Sequence, residues 1–164
     1  MNNITLKKID ESNFLSAFVL ELGEGQDEFV SHPIRSLAQA YVYRDQCTPF
    51  GIYADGRMVG YVMVIYDDDE ETYNIWHMMI DRREQGRGFG SAALQRVLAY
   101  IAEQPFGDSP RVLLTCSPEN RTAWRLYHRL GFRDSGRRDE DEIELVYEMT
   151  GGKPSESDRN KAAL

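Results

Sequence analysis

The sequence predicts a mixed α/β fold in which helices pack on a single β-sheet. Its 164 residues suit one domain with one hydrophobic core, because domains commonly contain about 100–200 residues. Three strands joined by short hairpin turns are predicted between residues 49 and 80. A strand, a glycine-rich turn, a helix and another strand follow over 72–116, a pattern typical of a right-handed crossover between parallel strands. We therefore expect antiparallel and parallel pairs in the same sheet.

The N-terminal part of the chain is predicted to contribute one strand and two helices. Residues 4–9 alternate between apolar and polar side chains, which predicts a short strand. Asp10 or Ser12 can cap the helix that follows, and Gly23 and Gly25 end it. The apolar residues of 37–42 predict a second, short helix.

A three-strand meander is predicted next. Asp55-Gly56 is a typical hairpin turn and separates strand 49–54 from strand 58–66. The acidic run 67–71 is interpreted as the solvated tip of a second hairpin, and strand 72–80 follows it.

The second half of the chain begins with a helix that the glycine-rich turn opens. Its apolar residues recur at helical spacing as far as Ile101. The elements predicted after it are strand 111–116, a helix from Ser117-Pro118 to Gly131, and strands 132–137 and 142–149, joined at an acidic tip. Residues 1–150 thus form the predicted domain, and 151–164, which have no apolar pattern, are predicted to be a disordered tail.

The net charge of the chain indicates which classes of partner it can bind. The chain has 27 acidic against 19 basic residues, a net charge of −8. Such a surface disfavours nucleic acid and anionic membranes, because both present phosphate groups that it repels. Cationic small molecules remain a suitable class of partner.

Cysteine content and hydropathy bear on location. Cys47 and Cys116 are far apart and match no CxxC pattern, so neither a disulfide framework nor a zinc site is indicated, and no other cluster suggests a metal. We see no signal peptide and no run of about 18 apolar residues. We expect a soluble, cytoplasmic protein.

The turn from Gln85 to Ser91 is the most informative segment. Three glycines in this turn let the backbone approach a ligand closely, and the N–H groups at the start of the following helix can bind an anion. Arg82, Arg83 and Arg87 place positive charge in the same turn, which favours a phosphate or pyrophosphate. A P-loop is excluded because no Gly-Lys-Ser/Thr is present, and the spacing does not fit a dinucleotide-binding GxGxxG. The alternative is a tight turn that only packs closely.

Two stretches carry a resemblance to a known family. Residues 80–90, IDRREQGRGFG, resemble the Gln/Arg-x-x-Gly-x-Gly/Ala motif of the GCN5-related N-acetyltransferases (GNAT). Residues 120–132, NRTAWRLYHRLGF, resemble the N-x-x-A-x-x-L-Y-x-x-x-G-F signature of that superfamily. The resemblance covers roughly residues 4–149 and implies the GNAT acyl-CoA N-acyltransferase fold, β-α-α-β-β-β-α-β-α-β-β.

The resemblance implies acetyl-CoA as co-substrate. Backbone amides of the turn would hold its pyrophosphate, and the end of the preceding strand would pair with the pantetheine arm, beside a bulge and a gap between parallel strands. A backbone N–H near Met79 would polarise the acetyl carbonyl. The cofactor-binding residues implied in this way are Met78, Met79, Ile80, Gln85, Gly86, Arg87, Gly88, Phe89, Gly90, Ser91 and Asn120. For the side chains of the two methionines, core packing is the interpretation we favour.

Catalysis is expected from Tyr127 and His77. Tyr127 is seven residues from Asn120, two helical turns, so that both can face the cofactor. By resemblance, Tyr127 protonates the departing thiolate; the alternative is one more core aromatic residue. His77 is the best-placed titratable side chain to accept a proton from the amine. The alternatives are a water chain as the base and a half-buried histidine with no chemical role.

A polyamine or diamine is the acceptor that the sequence favours. Residues 29–41, the meander and strand 75–81 resemble the bacterial spermine/spermidine acetyltransferase branch. A polycation suits an acidic site with aromatic faces. The substrate-binding candidates are Glu24, Asp27, Glu28, Tyr43 and Trp76; the alternative for each carboxylate is a solvated loop charge.

Two further classes of function stay open at this point. One is acetylation of another amine, such as a protein N-terminus, a lysine or an aminoglycoside. The other is an acetyl-CoA sensor without turnover, which intact Tyr127 and Asn120 disfavour. The resemblance also implies that a homodimer is common among relatives, although the sequence identifies no interface.

Overall fold

The computed structural model describes residues 3–149, and its centre is one seven-stranded sheet in the order β1-β2-β3-β4-β5-β7-β6. The elements are β1 (Ile4–Lys8), α1 (Phe14–Phe18), α2 (Pro33–Val42), β2 (Cys47–Ala54), β3 (Arg57–Asp67), β4 (Thr72–Ile80), α3 (Phe89–Ala102), β5 (Arg111–Cys116), α4 (Arg121–Arg129), β6 (Arg133–Asp139) and β7 (Glu142–Glu148). Short 3₁₀ turns occupy Gln26–Glu28 and Arg82–Glu84. The order of elements predicted from the sequence is confirmed. The predicted tail, 151–164, lies outside the described residues.

The first two helices have other limits than the sequence predicts. α1 ends at Phe18 rather than at Gly23, and an irregular segment leads into the first 3₁₀ turn. α2 begins four residues early, at Pro33, because the Nδ1 atom of His32 accepts the N–H of Ile34 and caps the helix. Proline at the first helical position also favours a helix start here, because an N–H group at that position would have no acceptor within the helix.

α4 begins later than predicted. Ser117 and Pro118 belong to the turn before the helix, and Asn120 is its N-cap, accepting the Ala123 N–H at 3.3 Å. Asn120 therefore comes directly before the first turn of α4 and does not lie within it. None of the helices in 3–149 is long and apolar enough to cross a membrane.

Helices cover both faces of the sheet. The larger buried cluster includes Leu94 and Val97 of α3 and lies on one face, where α4 also packs. The smaller cluster lies on the other face, where Ala17 of α1 and Ala40 of α2 are buried. Consecutive residues of β3 join the two clusters in turn, as the alternation of side chains along a strand requires.

The sheet opens between β4 and β5. These parallel strands pair only at Tyr73–Val112 and Asn74–Leu113, and they are not paired beyond that point. β4 also has a bulge, because Met63 of β3 lies opposite His77 whereas Val64 lies opposite Ile75. Trp76 is the extra residue, and the alternation of β4 reverses there. As a result, Ile75 belongs to the larger cluster whereas Met79 belongs to the smaller one.

Gly60 is required where β3 passes the end of β4. A Cβ atom at this position would collide with the carbonyl oxygen of Met79 and lie 2.9 Å from Cδ1 of Ile80. We therefore expect Gly60→Ala to lower the free energy of unfolding by about 2 kcal/mol or more, as overpacking does.

Chemical denaturation measures this change, and Gly90→Ala is its matched control. A Cβ at Gly90 would make only ordinary contacts, the nearest at 3.5 Å to Leu126, so its stability should match that of the unmodified protein. Equal stability of the two variants would contradict the argument from close approach.

Candidate active site

The glycine-rich turn leaves the start of α3 open to a ligand. Gly86 and Gly88 have φ angles of 74° and 80°, in the left-handed region that favours glycine. Gly88 is the N-cap of α3 and has no side chain to bond the first-turn N–H groups. These donors and the positive end of the 14-residue helix can together bind an anion.

The three arginines of this turn are each paired with a carboxylate, which the sequence analysis does not anticipate. Arg82 lies 2.6 Å from Glu21, Arg83 lies 2.6 Å from Asp81, and Arg87 contacts Glu84. Hydrogen bonds from Arg83 lower the pKa of the buried Asp81 carboxyl to about 2. These pairs hold the arginines against carboxylates, whereas no side chain of the N-cap residue bonds the N–H groups at the start of α3.

A cavity of about 440 Å³ extends from this turn along the end of β4 to α4. Every residue that the resemblance assigns to the cofactor lines it except Arg87: Met78, Met79, Ile80, Gln85, Gly86, Gly88, Phe89, Gly90, Ser91 and Asn120. The Gln85 amide donates to the Ile80 carbonyl at 3.0 Å and to Oε1 of Gln26 at 2.8 Å, which fixes the rim. The Met79 side chain is buried in the smaller core cluster, which confirms core packing for that side chain.

Sequence reasoning missed several lining residues. They come from the first 3₁₀ turn and its end, from the second 3₁₀ turn and from α4: Gln26, Val30, Glu84, Thr122, Ala123, Leu126 and Arg129. The helical spacing of Thr122, Leu126 and Arg129 could have indicated a shared face, but not that this face lies against the cavity.

A narrow slot of about 60 Å³ lies in the gap between β4 and β5. Its lining includes His77, Met78, Cys116 and Tyr127, and it shares Tyr127, Met78, Val30, Ala123 and Asn120 with the larger cavity. Burial, together with nearby Cys116 and Glu142, raises the pKa of the Tyr127 phenol above its usual range. Tyr127 is therefore a protonated donor at neutral pH.

The His77 side chain is held by α2, on the face of the sheet opposite α3 and α4. Its Nδ1 atom lies 2.7 Å from Oγ of Ser36 on α2, and its ring stacks on Trp76 with centroids 5.1 Å apart. Burial, with nearby Arg35, lowers the pKa of His77 to about 4. The imidazole is therefore neutral at neutral pH.

A third cavity, of about 610 Å³, continues from the slot and is acidic. It shares Ile75, Trp76 and Thr115 with the slot. Carboxylates from two hairpins line it: Asp67, Asp68, Asp69 and Asp139. Tyr43 and Trp76, an edge-to-face pair with centroids 5.5 Å apart, form an aromatic side. Each cavity shares lining residues with the next, and we call the three together the groove; the start of α3 lies at one end and the carboxylates lie at the other.

The residues predicted to bind the acceptor do not all lie together in the structure. Tyr43 and Trp76 line the acidic cavity. Glu24, Asp27 and Glu28 are exposed around the first 3₁₀ turn and line none of these three cavities, and their role stays a prediction. The hairpin tips that the sequence analysis interprets only as solvated supply the carboxylates of the cavity instead.

Comparisons with known proteins agree with this geometry. A model of the acetyltransferase (GNAT) family matches residues 15–132. The spermine/spermidine N(1)-acetyltransferase of Bacillus subtilis (strain 168) is 27% identical over 146 residues, which is 84% of this chain and 92% of that protein.

Solved structures show the same fold. The spermidine N-acetyltransferase of Vibrio cholerae, in complex with CoA and spermine, aligns with a TM-score of 0.65 at 18% identity over 89% of this chain and 95% of that one. The PaiA N-acetyltransferase of Thermoplasma acidophilum, in complex with coenzyme A, aligns with a TM-score of 0.67 at 10% identity over 89% and 99%. Since the family match spans most of the described fold, the resemblance seen in the two motifs is confirmed: the chain belongs to the GNAT family and is an N-acetyltransferase.

Proposed function

We propose that this enzyme transfers the acetyl group of acetyl-CoA directly to a primary amine of a polyamine or diamine. The observation that carries the proposal is the continuous groove, which has an anion site at one end, His77 and Tyr127 in the middle, and carboxylates at the other end. An anionic donor and a cationic acceptor can therefore meet at the slot from opposite directions.

The donor end suits a CoA thioester. The open N–H groups at the start of α3 would bind the pyrophosphate, and the free edge of β4 at Met78 to Ile80 would pair with the amides of the pantetheine arm. Coenzyme A is bound in the related fold of the Thermoplasma enzyme, which supports this assignment. Asn120 caps α4 through Oδ1, so its amide Nδ2 group is the part that would face the arm.

The slot provides one proton acceptor and one proton donor. The nitrogen attacks the thioester carbonyl carbon as a neutral amine, after its ammonium proton has gone to solvent, and His77 accepts the further proton that the nitrogen loses as the C–N bond forms. The C–S bond then breaks, and Tyr127 gives its proton to the departing sulfur. No covalent enzyme intermediate is required, since acceptor and thioester would occupy neighbouring parts of the same groove.

The acidic cavity favours a polycation over a neutral amine. Carboxylates and aromatic faces bind ammonium groups through charge-assisted hydrogen bonds and cation–π contacts. The Bacillus relative is a spermine/spermidine acetyltransferase, and the Vibrio structure contains spermine. In this arrangement one ammonium would occupy the cavity while another amine reaches the slot.

An amine panel tests the proposal. CoA thiol release from acetyl-CoA should be fastest with spermidine, spermine or a diamine and slow with a monoamine of equal chain length. Preference for a peptide N-terminus, a lysine or an aminoglycoside would replace the polyamine assignment. If acetyl-CoA binds but no amine causes release of the CoA thiol, the result would instead favour a sensor without turnover.

Removing charge from the acidic cavity should weaken acceptor binding. Asp67 accepts the N–H groups of Asp69 and Glu70 and so holds the hairpin turn; Asp69 and Asp139 are better targets. We expect Asp69→Asn/Asp139→Asn to raise KM for spermidine about 10-fold at low salt, since each exposed pair contributes up to about 1 kcal/mol. Salt should shrink the difference.

The matched control removes two charges from the first 3₁₀ turn. Asp27→Asn/Glu28→Gln has the same net charge change at exposed residues outside the three cavities. If this control raises KM and the cavity variant does not, the acceptor binds at the turn, as the sequence analysis predicts.

A further inference from the structure

A buried hydroxyl pair lies behind His77. Ser36 of α2 is fully buried, and its Oγ atom is 2.7 Å from Nδ1 of His77. The same Oγ atom donates to the phenol oxygen of Tyr61, on β3, at 2.9 Å. Tyr61 is 1% exposed, so the chain Tyr61–Ser36–His77 extends from the core to the slot.

Counting hydrogens assigns the histidine tautomer. The Ser36 hydroxyl has a single hydrogen, and the geometry directs it to Tyr61. Ser36 must then accept in its contact with His77, so that Nδ1 carries the imidazole hydrogen. Nε2 is left with a lone pair, on a ring that lines the slot. A general base needs such an unprotonated ring nitrogen to accept a proton.

We propose that Tyr61 and Ser36 are positioning residues that hold His77 in the Nδ1–H tautomer, with Nε2 unprotonated toward the slot. The inference rests on the proposed function only for the use of Nε2 as the base; the tautomer itself follows from the hydroxyl chain. Tyr61 acts through Ser36 and does not touch the substrate, and its part is to take the serine hydrogen that would otherwise be donated to Nδ1.

The other groups around His77 do not set its tautomer, so the hydroxyls of Ser36 and Tyr61 are the contacts that do. Arg35 on α2 is the cation whose charge acts on the ring. The titratable groups that line the slot with His77 are Cys116 of β5, Tyr127 of α4 and Glu142 of β7, and Glu142 accepts the hydroxyl of Thr115. Among the described residues, no hydrogen bond from these groups to the imidazole is found.

Tyr61→Phe should reverse the tautomer. Without the phenol oxygen, the better acceptor for the Ser36 hydrogen is Nδ1, since the alternative is the weakly accepting Met63 sulfur at 3.8 Å. His77 would then carry its hydrogen on Nε2, and kcat should fall about 10-fold or more, as expected when a base is held in the wrong tautomer. Ser36→Ala/Tyr61→Phe removes the misdirected donor, so it should recover part of the lost kcat.

The experiment combines ¹⁵N NMR of the imidazoles with kcat measured across pH. The His77 signals are assigned by their loss in His77→Gln. We expect Nδ1–H in the unmodified enzyme, Nε2–H in Tyr61→Phe and a mixture in the double variant. Tyr100→Phe is the matched control, because it removes another tyrosine hydroxyl, partly buried and 2.9 Å from Oγ1 of Thr48, away from His77. It should leave both tautomer and kcat unchanged.

Two results would overturn the inference: an Nε2–H tautomer in the unmodified enzyme, or a double variant whose kcat is no higher than that of Tyr61→Phe. Failure of the proposed function looks different. If His77→Gln keeps full kcat while Tyr61→Phe still moves the hydrogen to Nε2, then His77 is not the base, but the control of its tautomer stands.

Discussion

Tyr127→Phe is expected to lower kcat about 100-fold while changing KM for acetyl-CoA little, because a positioned general acid contributes at least that much to proton transfer. Tyr127 lines both the donor cavity and the slot, and burial keeps its phenol protonated. Phenylalanine retains the ring, which packs against Phe132, and removes only the hydroxyl. The fold should therefore survive, and steady-state kinetics measures the loss.

Tyr147→Phe is the control for this variant. Tyr147 also packs against Phe132, with centroids 5.3 Å apart, and lies outside the donor cavity and the slot. Its kcat should remain that of the unmodified enzyme. Turnover of Tyr127→Phe at the level of this control would show that Tyr127 is only a core aromatic residue.

His77→Gln is expected to lower kcat by about 100-fold as well, through loss of the proton acceptor. Because the pKa of His77 is lowered to about 4 from its ordinary value of 6.5, the folded enzyme keeps the ring neutral throughout the neutral pH range. Protonation of His77 should therefore not limit kcat between pH 6 and 8. A loss of kcat centred near pH 6.5 that the glutamine variant lacks would contradict this low pKa.

The same pKa shift makes a prediction for stability. The unfolded chain binds the His77 proton below about pH 6.5, whereas the folded protein resists it down to about pH 4. The contribution of the neutral ring is complete above pH 6.5 and is lost as the pH falls toward 4. The fall in Tm between pH 7 and pH 5 should be smaller in His77→Gln than in the unmodified protein, and His128→Gln, on α4, is the control.

The half of the groove at the start of α3 could be predicted from the sequence because its signals are local. The φ angles at Gly86 and Gly88 and the helix start after them depend on neighbouring residues, so a short motif specifies them. Asn120 and Tyr127 likewise lie within one contiguous segment. Arg87 also pairs within its own segment, with Glu84 three residues before it, and the count of basic residues does not reveal that pairing.

The acidic half of the groove could be predicted only in Tyr43 and Trp76, because its carboxylates come from distant segments. Asp69 and Asp139 are 70 residues apart and belong to separate hairpins, yet both line the cavity beside Tyr43 and Trp76. Each hairpin tip by itself has the composition of a solvated turn. Only the pairing of the strands brings the two tips to the same end of the sheet.

The sequence by itself determined the order of elements, the family and the glycine turn that opens α3, since hydrophobic periodicity, turn residues and short motifs act over a few residues. The tertiary structure decided where His77 points. Strict alternation from Ile75 would place His77 on the face of α3 and α4, but the bulge at Trp76 turns it toward Ser36 on α2. The resemblance implies a bulge and a gap beside this strand, but the residue at which the bulge lies is set by the pairing of β3 with β4, a long-range contact that no local pattern specifies.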